Sequence, residues 1–193
     1  MLSSDPPATD NFADLQIATR RHRAQHGCGA YTYEHGSLPG VLAAALGAQR
    51  VVEVGTALGY TACWLSSATP STRVDTVEND PDHVALARAQ IARYELAGRI
   101  TVHQGEAESL LAGFDNSAYD VAFFDGFSPT LMVLHLLRGC LRDGGLLIAG
   151  NLSLGNTEAV VRELFDTTRW RTHSFGETAI SVKVSGPPPI AVD

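Results

Sequence analysis

The segment from residue 50 to residue 65, RVVEVGTALGYTACWL, joins an apolar run of strand length to a helical pattern through a glycine-containing loop. Its potential chemistry lies in Glu53, near the end of the apolar run, and in Gly55 and Gly59. Dinucleotide sites use the spacing G-x-G-x-x-G, which lets backbone amides approach a pyrophosphate. This loop instead reads G-x-x-x-G and follows an acid, whose carboxylate would repel phosphate. The pattern favours a ligand that carries a cationic amine and needs close approach to the backbone.

A second acid, Glu78, ends the apolar run RVDTVE, about 20 residues beyond the glycine loop. At the carboxyl end of a parallel strand, such a carboxylate accepts hydrogen bonds from both hydroxyls of a ribose. Hydrogen bonds to a charged group contribute about 1.5–3 kcal/mol each. Glu53 and Glu78 around one glycine loop therefore predict an adenosine-containing ligand. S-adenosylmethionine combines an adenosine with a cationic amine.

The elements that must position these acids follow from periodicity. Apolar runs of strand length alternate with segments of helical period along the chain, which predicts strand-helix repeats and a parallel sheet. The clearest helix begins at Pro81, where Asp80 suits the cap, and Gly98 is expected to end it. The apolar face of this helix is formed by Val84, Ala87, Ile91 and Tyr94.

The second half of the chain predicts how the sheet ends. The runs DVAFFD and GLLIAGN are nearly continuous in apolar residues, as is typical of central strands covered on both faces. Helices are predicted from about Pro129 to Leu141 and from about Thr157 to Thr168. The runs RWRTHSF and AISVKV flank a short turn and predict an antiparallel hairpin. The expected fold is α/β, a Rossmann-like, doubly wound, mostly parallel mixed sheet with a C-terminal antiparallel hairpin.

Composition limits the domain count and the class of partner. The 193 residues are 45% hydrophobic, which predicts a single domain over residues 11–185, with flexible segments at residues 1–10 and in the proline-rich residues 186–193. The net charge of −7 gives no electrostatic footprint for nucleic acid. No apolar run approaches the roughly 20 residues of a membrane helix. We expect a cytoplasmic protein with no membrane or nucleic-acid partner.

Cysteine usage agrees with a reducing compartment. The three cysteines, Cys28, Cys63 and Cys140, are an odd number, and none has another cysteine at metal-ligand spacing. We therefore expect reduced thiols rather than a disulfide framework.

Five stretches in this order resemble one enzyme family. These are VVEVGTALGYTACWLSSA, TVENDPDHVALARAQI, ITVHQGEAESLL, YDVAFFDG and LRDGGLLIAGNL. They are similar to the class I S-adenosylmethionine-dependent O-methyltransferases of the catechol and caffeoyl-CoA type, over about residues 30–184. The resemblance implies methylation of an oxygen on a small acceptor, with phenols as the leading class, and leaves a homodimer open.

The resemblance also implies which residues hold S-adenosylmethionine. Glu53 and the backbone at Gly55 and Thr56 would hold the methionine portion, Glu78 would bind the ribose, and Asp125 would lie under the sulfonium. The complete expected set is Tyr31, Glu53, Gly55, Thr56, Gly59, Tyr60, Thr61, Glu78, Asn79, Gly105, Glu106, Ala107, Glu108 and Asp125.

The chain departs from the family at its metal site and at its base. The family holds a divalent cation with an aspartate after the fourth strand and an Asp-Asn pair after the fifth. Here Asp125 and Asn151 match, but the middle position is Gly150. Losing one of two carboxylates weakens a site for Mg²⁺, so we expect no metal. The lysine that serves as base in the catechol enzymes is Ser128 here, and a serine hydroxyl of ordinary pKa is a poor base.

Another group must then remove the acceptor's proton, because a phenol has a pKa near 10. Asp125, His35 and His173 are the candidate catalytic residues. The aromatic side chains that could wall an acceptor, or merely pack in the core, are Tyr31, Tyr33, Phe127 and Trp170.

Two alternatives remain open beside the methyltransferase. Gly150 and Ser128 also suit a protein that binds S-adenosylmethionine or S-adenosylhomocysteine but has lost catalysis. A nucleic-acid methyltransferase is disfavoured because the chain is acidic and lacks a basic stripe. No motif fixes the acceptor, since substrate choice lies in loops.

Overall fold

The computed structural model describes residues 10–185, which form a seven-stranded sheet with helices on both faces. Residues 1–9 and 186–193, which include most of the two expected flexible segments, lie outside the described part. The helices are α1 Ala13–His26, α2 Leu38–Ala45, α3 Tyr60–Ser66, α4 Pro81–Arg93, α5 Ala107–Leu111, α6 Leu131–Cys140 and α7 Glu158–Leu164. The strands are β1 Arg50–Val54, β2 Arg73–Glu78, β3 Ile100–Gln104, β4 Tyr119–Phe124, β5 Leu141–Ala149, β6 Trp170–Phe175 and β7 Thr178–Lys183. None of the described helices is long and apolar enough to cross a membrane.

The strand order is β3-β2-β1-β4-β5-β7-β6. Strands β1 to β5 are parallel to one another, whereas β7 pairs antiparallel with both β5 and β6. This confirms the predicted mixed sheet and its C-terminal hairpin. The chain order reverses between β1 and β4, so the carboxyl ends of these neighbours flank the crevice in which ligands bind in open α/β sheets.

The sheet has a hydrophobic core on each face because successive side chains of a strand point in opposite directions. In β1, Val51 belongs to the core under α1 to α4, and Val52 belongs to the core under α5 to α7. Both valines are completely buried. The central strands are therefore apolar at consecutive positions, as their sequences predicted.

Helix α4 begins where it was predicted to begin. The Oδ1 atom of Asp80 accepts hydrogen bonds from the backbone amides of Asp82 at 2.8 Å and His83 at 3.2 Å. The predicted end at Gly98 is wrong, because the helix stops at Arg93. Glu95 then adopts a left-handed conformation with φ of +59°, which turns the chain out of the helix.

The next two long helices are also shorter than predicted. Helix α6 begins only after Thr130, whose hydroxyl oxygen accepts a hydrogen bond from the amide of Val133 at 3.1 Å. Helix α7 ends at Leu164, before a turn in which the carboxylate of Asp166 accepts a hydrogen bond from the amide of Thr168 at 2.9 Å. Thr130 thus acts as the N-cap of α6, and the turn at Asp166 follows the last residues of α7.

Candidate active site

A cleft of about 700 Å³ opens at the carboxyl ends of β1, β2 and β4. Its lining includes the strand-end residues Val54 and Val77 and the loops that follow the strands. Nine residues of the predicted site lie in this lining, namely Tyr31, His35, Gly55, Glu78, Asn79, Gly105, Glu106, Ala107 and Asp125. The structure therefore brings together predicted residues from five separate segments of the chain.

The other predicted residues lie outside the lining of the main cleft. Thr56, Tyr60 and Thr61 border a much smaller adjoining cavity of about 10 Å³. Glu108 is exposed on α5, and Gly59 precedes α3, where a Cβ would lie 3.3 Å from the side chain of Ile91. Gly59 therefore permits close packing of α3 against α4.

The glycine loop depends on the absence of a side chain at Gly55. This residue has φ of +97°, and a Cβ there would lie 2.6 Å from the carbonyl oxygen of Asp125. The loops that follow β1 and β4 therefore touch through their backbones. Ala57, two residues further on, also has a positive φ, of +45°. This unusual turn aims the amide of Ala57 towards the end of β2.

Glu78 receives that amide. Its Oε2 atom accepts a hydrogen bond from the amide of Ala57 at 2.9 Å, and its Oε1 atom accepts one from the amide of Asp80 at 3.1 Å. Each carboxylate oxygen can accept a further bond, because an ionised carboxylate has about four acceptor positions. The two amides thus fix the orientation of a carboxylate that faces the cleft.

Glu53 lies behind the cleft and is completely buried. Its carboxyl group accepts hydrogen bonds from the hydroxyls of Thr61 and of Thr76, the latter at 2.6 Å. Burial raises the pKa of Glu53 to about 7, against the lowering effect of the two hydroxyls. Glu53 ties β1 to β2 and α3 and lines neither cavity, whereas its partner Thr61 borders the smaller one.

Asp125 directly follows β4 and lines the cleft. Burial raises the pKa of its carboxyl group to about 8, and the negative charges of Glu53 and Glu177 act in the same direction. The side-chain amide of Asn151 donates a hydrogen bond of 3.3 Å to Oδ1 of Asp125 and opposes the shift. The same amide nitrogen donates to the carbonyl oxygen of Gly126 at 2.6 Å.

The residues present do not fit the divalent cation of the catechol-type family. Gly150 is buried and offers no side-chain oxygen, while Asn151 turns its amide nitrogen towards Asp125. One carboxylate and one amide oxygen are a poor set for Mg²⁺, which demands near-octahedral oxygen ligands. Ser128 donates its hydroxyl hydrogen to the carbonyl oxygen of Leu154 at 2.8 Å. Its hydroxyl therefore joins the loops after β4 and β5.

The two candidate histidine bases differ in location. His35 lines the cleft and contacts the rings of Tyr33 and Phe175, with centroid distances of 5.9 and 5.3 Å. His173 is exposed on β6, two residues before Phe175, and lies outside the lining. Phe175, the last residue of β6, lines the cleft, whereas residues 170–174 of the strand do not. The structure does not bring His173 to the site.

Aromatic residues wall the cleft, but not all of those expected. Tyr31, Tyr33 and Phe127 lie in the lining, and the side chain of Phe127 is 80% exposed. Trp170, expected as a possible wall, is buried in the core under α6 and α7. Phe175 lines the cleft instead. Its position at the last residue of β6, beside the hairpin turn, was the sequence signal for this role.

Comparison with known proteins assigns this chain to a family. The sequence model of the family described as a methyltransferase domain matches residues 52–152. A candidate O-methyltransferase of Mycolicibacterium smegmatis is 32% identical over 147 residues, which cover 74% of this chain and 70% of the relative. The fold is also found in an O-methyltransferase from Streptomyces achromogenes that takes part in tomaymycin synthesis, solved with S-adenosylmethionine. That structure has a TM-score of 0.78 at 18% identity, over 89% of this chain and 90% of the other.

An O-methyltransferase from Bacillus cereus, solved with S-adenosylhomocysteine, has a TM-score of 0.75 at 20% identity over 89% of this chain and 91% of the other. These solved structures share the fold, and the sequence matches carry the family assignment. The resemblance stated from the sequence is therefore confirmed. This chain belongs to the methyltransferase-domain family, among the S-adenosylmethionine-dependent O-methyltransferases.

Proposed function

We propose that this protein transfers a methyl group from S-adenosylmethionine to an oxygen of a small, phenolic acceptor, without a divalent cation. The observation that carries the proposal is the single cleft that Glu78 and Asp125 share. Its lining contains an oriented carboxylate, that of Glu78, and a buried acid, Asp125. The first suits a ribose, and the second suits an acceptor that must lose a proton.

The adenosine portion would lie between β2 and the loop after β3. Glu78 would accept hydrogen bonds from the ribose hydroxyls, since two backbone amides already hold its carboxylate in place. Asn79 and Glu106, whose side chains lie 3.5 Å apart, would flank the purine. Gly105 and Ala107 also line the cleft, and their small size leaves room for a flat ring.

The cofactor supplies a methyl group on a sulfonium, a leaving group that needs no metal. The protein's part is to hold the acceptor oxygen in line and to receive its proton, and alignment alone provides much of the rate enhancement of such a displacement. Asp125 would take the proton in its ionised form. The raised pKa of Asp125 makes it a stronger base than an ordinary aspartate.

The mouth of the cleft suits an aromatic acceptor. Phe127, Leu154 and Phe175 line it, and His35 rests against Phe175. Rings of this kind pack against a flat acceptor while leaving its hydroxyl free to face Asp125. The net charge of −7 argues against nucleic acid as the substrate. A homodimer and a cytoplasmic location remain predictions.

The test is a methyl-transfer assay with labelled S-adenosylmethionine and a panel of phenols, catechols and hydroxy acids. Each responsive acceptor is measured with excess chelator and again with added Mg²⁺. We expect activity that is indifferent to both treatments. Activity abolished by the chelator and restored by Mg²⁺ would overturn the metal-free mechanism. Tight binding of S-adenosylhomocysteine without turnover of any acceptor would instead support the alternative, a cofactor-binding protein without catalysis.

A further inference from the structure

Three side chains with metal-binding atoms meet beside the cleft. His22 lies on α1, Cys28 lies in the segment after that helix, and His83 lies in the first turn of α4. One ligand atom from each of them lies within 4.8 Å of the others. The rings of His22 and His83 meet edge to face, with centroids 5.5 Å apart. The cluster shares no residue with the Asp125 and Asn151 pair.

The chemical nature of this cluster matches one class of cation. Two imidazole nitrogens and one thiolate are the ligands that bind Zn²⁺, as in catalytic sites with three protein ligands and one open position. Bond lengths of about 2.0–2.3 Å in a tetrahedron would require the three atoms to come within roughly 3.3–3.8 Å of one another. The side chains must therefore close by about 1 Å, which is within the reach of small rotations because Cys28 and His22 are only partly buried.

The surroundings favour a cation at this place. The Nδ1 atom of His83 lies 4.0 Å from a carboxylate oxygen of Glu78 and 4.0 Å from one of Asp80. Histidines that bind metals are commonly oriented by a neighbouring carboxylate, which also strengthens them as ligands. His83 is buried, and Cys28 is a free thiol. The cluster thus contains a histidine held in place by burial and a thiol that is not in a disulfide, and two carboxylates lie close to it.

We propose that His22, Cys28 and His83 form a binding site for a divalent cation of the zinc class, with the fourth position open. Such an ion would join α1 and the segment that follows it to the start of α4. Residues after Cys28, including Tyr31, wall the cleft, and so does His83 itself. The ion, with water in its fourth position, would therefore hold one wall of the cleft in place and would take no part in the methyl-transfer step.

Cobalt provides a direct probe of this proposal. The full-length protein, stripped with a chelator and exchanged into metal-free buffer, is titrated with Co²⁺ and followed by absorption spectroscopy. We expect one equivalent to bind, with a thiolate-to-cobalt charge-transfer band and the visible absorption of tetrahedral cobalt. Zn²⁺ should displace the cobalt and raise the Tm of the protein, because a ligand that binds only the folded state stabilises it.

Substitutions distinguish the residues that bind the metal from residues that do not. Cys28→Ser should abolish the charge-transfer band. His22→Gln should weaken cobalt binding by at least about tenfold, because even the loss of a residue that only orients a metal ligand lowers metal affinity by that factor. His135→Gln is the matched control, because His135 is exposed and lies against Glu163, away from the cluster. Circular dichroism checks that each variant is folded. Failure of the wild-type protein to bind one equivalent, or a band that persists in Cys28→Ser, would overturn the proposal.

Discussion

Gly55 and Asp125 are in backbone contact, and a Cβ on Gly55 would lie 2.6 Å from the carbonyl oxygen of Asp125. Gly55 also has φ of +97°, where an L side chain is strained. We expect Gly55→Ala to lower the free energy of unfolding by about 1–3 kcal/mol, the usual cost of forcing atoms into a packed interior. Chemical denaturation measures this change.

Gly98→Ala is the control for that substitution. A Cβ on Gly98 meets nothing within 4 Å, and the residue is exposed. Its effect should stay within about 0.5 kcal/mol, as for most surface changes. Equal destabilisation by the two alanines would show that the contact between the two loops does not matter.

Glu78→Ala should weaken the binding of S-adenosylhomocysteine by about 1.5–3 kcal/mol, because the ribose hydroxyls lose a charged acceptor. Isothermal titration calorimetry measures the loss directly. Glu158→Ala serves as comparison, since Glu158 is exposed at the start of α7 and should leave the affinity unchanged. Unaltered affinity in the Glu78 variant would remove this residue from the ribose site.

Glu53 should make the stability of the protein depend on pH. Its pKa is about 7 in the folded state against an ordinary value of 4.5, so the folded state holds the extra proton between these two pH values. The free energy of unfolding must then fall as pH rises from 4.5 to 7 and lose its dependence on Glu53 above that range. Relative to the wild-type protein, Glu53→Gln should gain on the order of 3 kcal/mol across this window.

Denaturation curves of both proteins at several pH values test that expectation. The comparison cancels every titrating group that does not interact with Glu53, and the difference between the curves reports Glu53 together with its effect on Asp125, whose pKa it raises. Glu158→Gln removes an exposed carboxyl group, so its free energy of unfolding should follow the same pH dependence as that of the wild type. A constant difference between Glu53→Gln and the wild type would contradict a raised pKa for Glu53.

Asp125 should govern the pH dependence of methyl transfer. Because its pKa is raised to about 8, the carboxyl group is mostly protonated at lower pH and cannot accept a proton from the acceptor. The rate should rise up to about pH 8 and level off above it. Asp125→Asn should reduce kcat by about 10²–10⁴-fold, the usual contribution of a general base, and flatten the profile.

His35→Gln distinguishes the other candidate base in the cleft. If Asp125 accepts the proton, the His35 variant should keep the midpoint near pH 8 even where acceptor affinity changes. If the pH profile of the rate keeps its shape in Asp125→Asn but loses it in His35→Gln, the histidine and not Asp125 is the general base. Initial rates with one responsive phenol over a range of pH give both profiles.

Local signals made much of the fold predictable. The start of α4 was predicted because Asp80 acts on amides within one turn, and the C-terminal hairpin was predicted from two strand-like runs and a short turn. The end of α4 was not, because the left-handed Glu95 is not a residue type that announces such a turn. For Trp170 the sequence left two environments open, a wall of the cleft or the core, because the environment of a strand residue depends on how the strand docks; the structure places it in the core.

The candidate site was predictable where it follows strand ends and unpredictable where it depends on distant segments. Glu78 and Asp125 end parallel neighbours of β1, and topology alone brings such residues to one edge. Glu53 lies one residue before the end of β1, and its side chain is buried, where it accepts hydrogen bonds from Thr61 and Thr76. The cluster of His22, Cys28 and His83 joins three segments that share no spacing pattern.

Gly150 occupies the position at which the metal-dependent enzymes of the catechol type carry an aspartate. A Cβ at this position would lie 3.6 Å from Oδ1 of Asp125 and 3.2 Å from the carbonyl oxygen of Phe124, so a side chain fits after a shift of a few tenths of an ångström. Gly150→Asp would then add a second carboxylate beside Asp125, next to Asn151. The set of oxygen ligands at this site therefore depends on one position in the loop after β5, and changing that position leaves the strands of the sheet as they are.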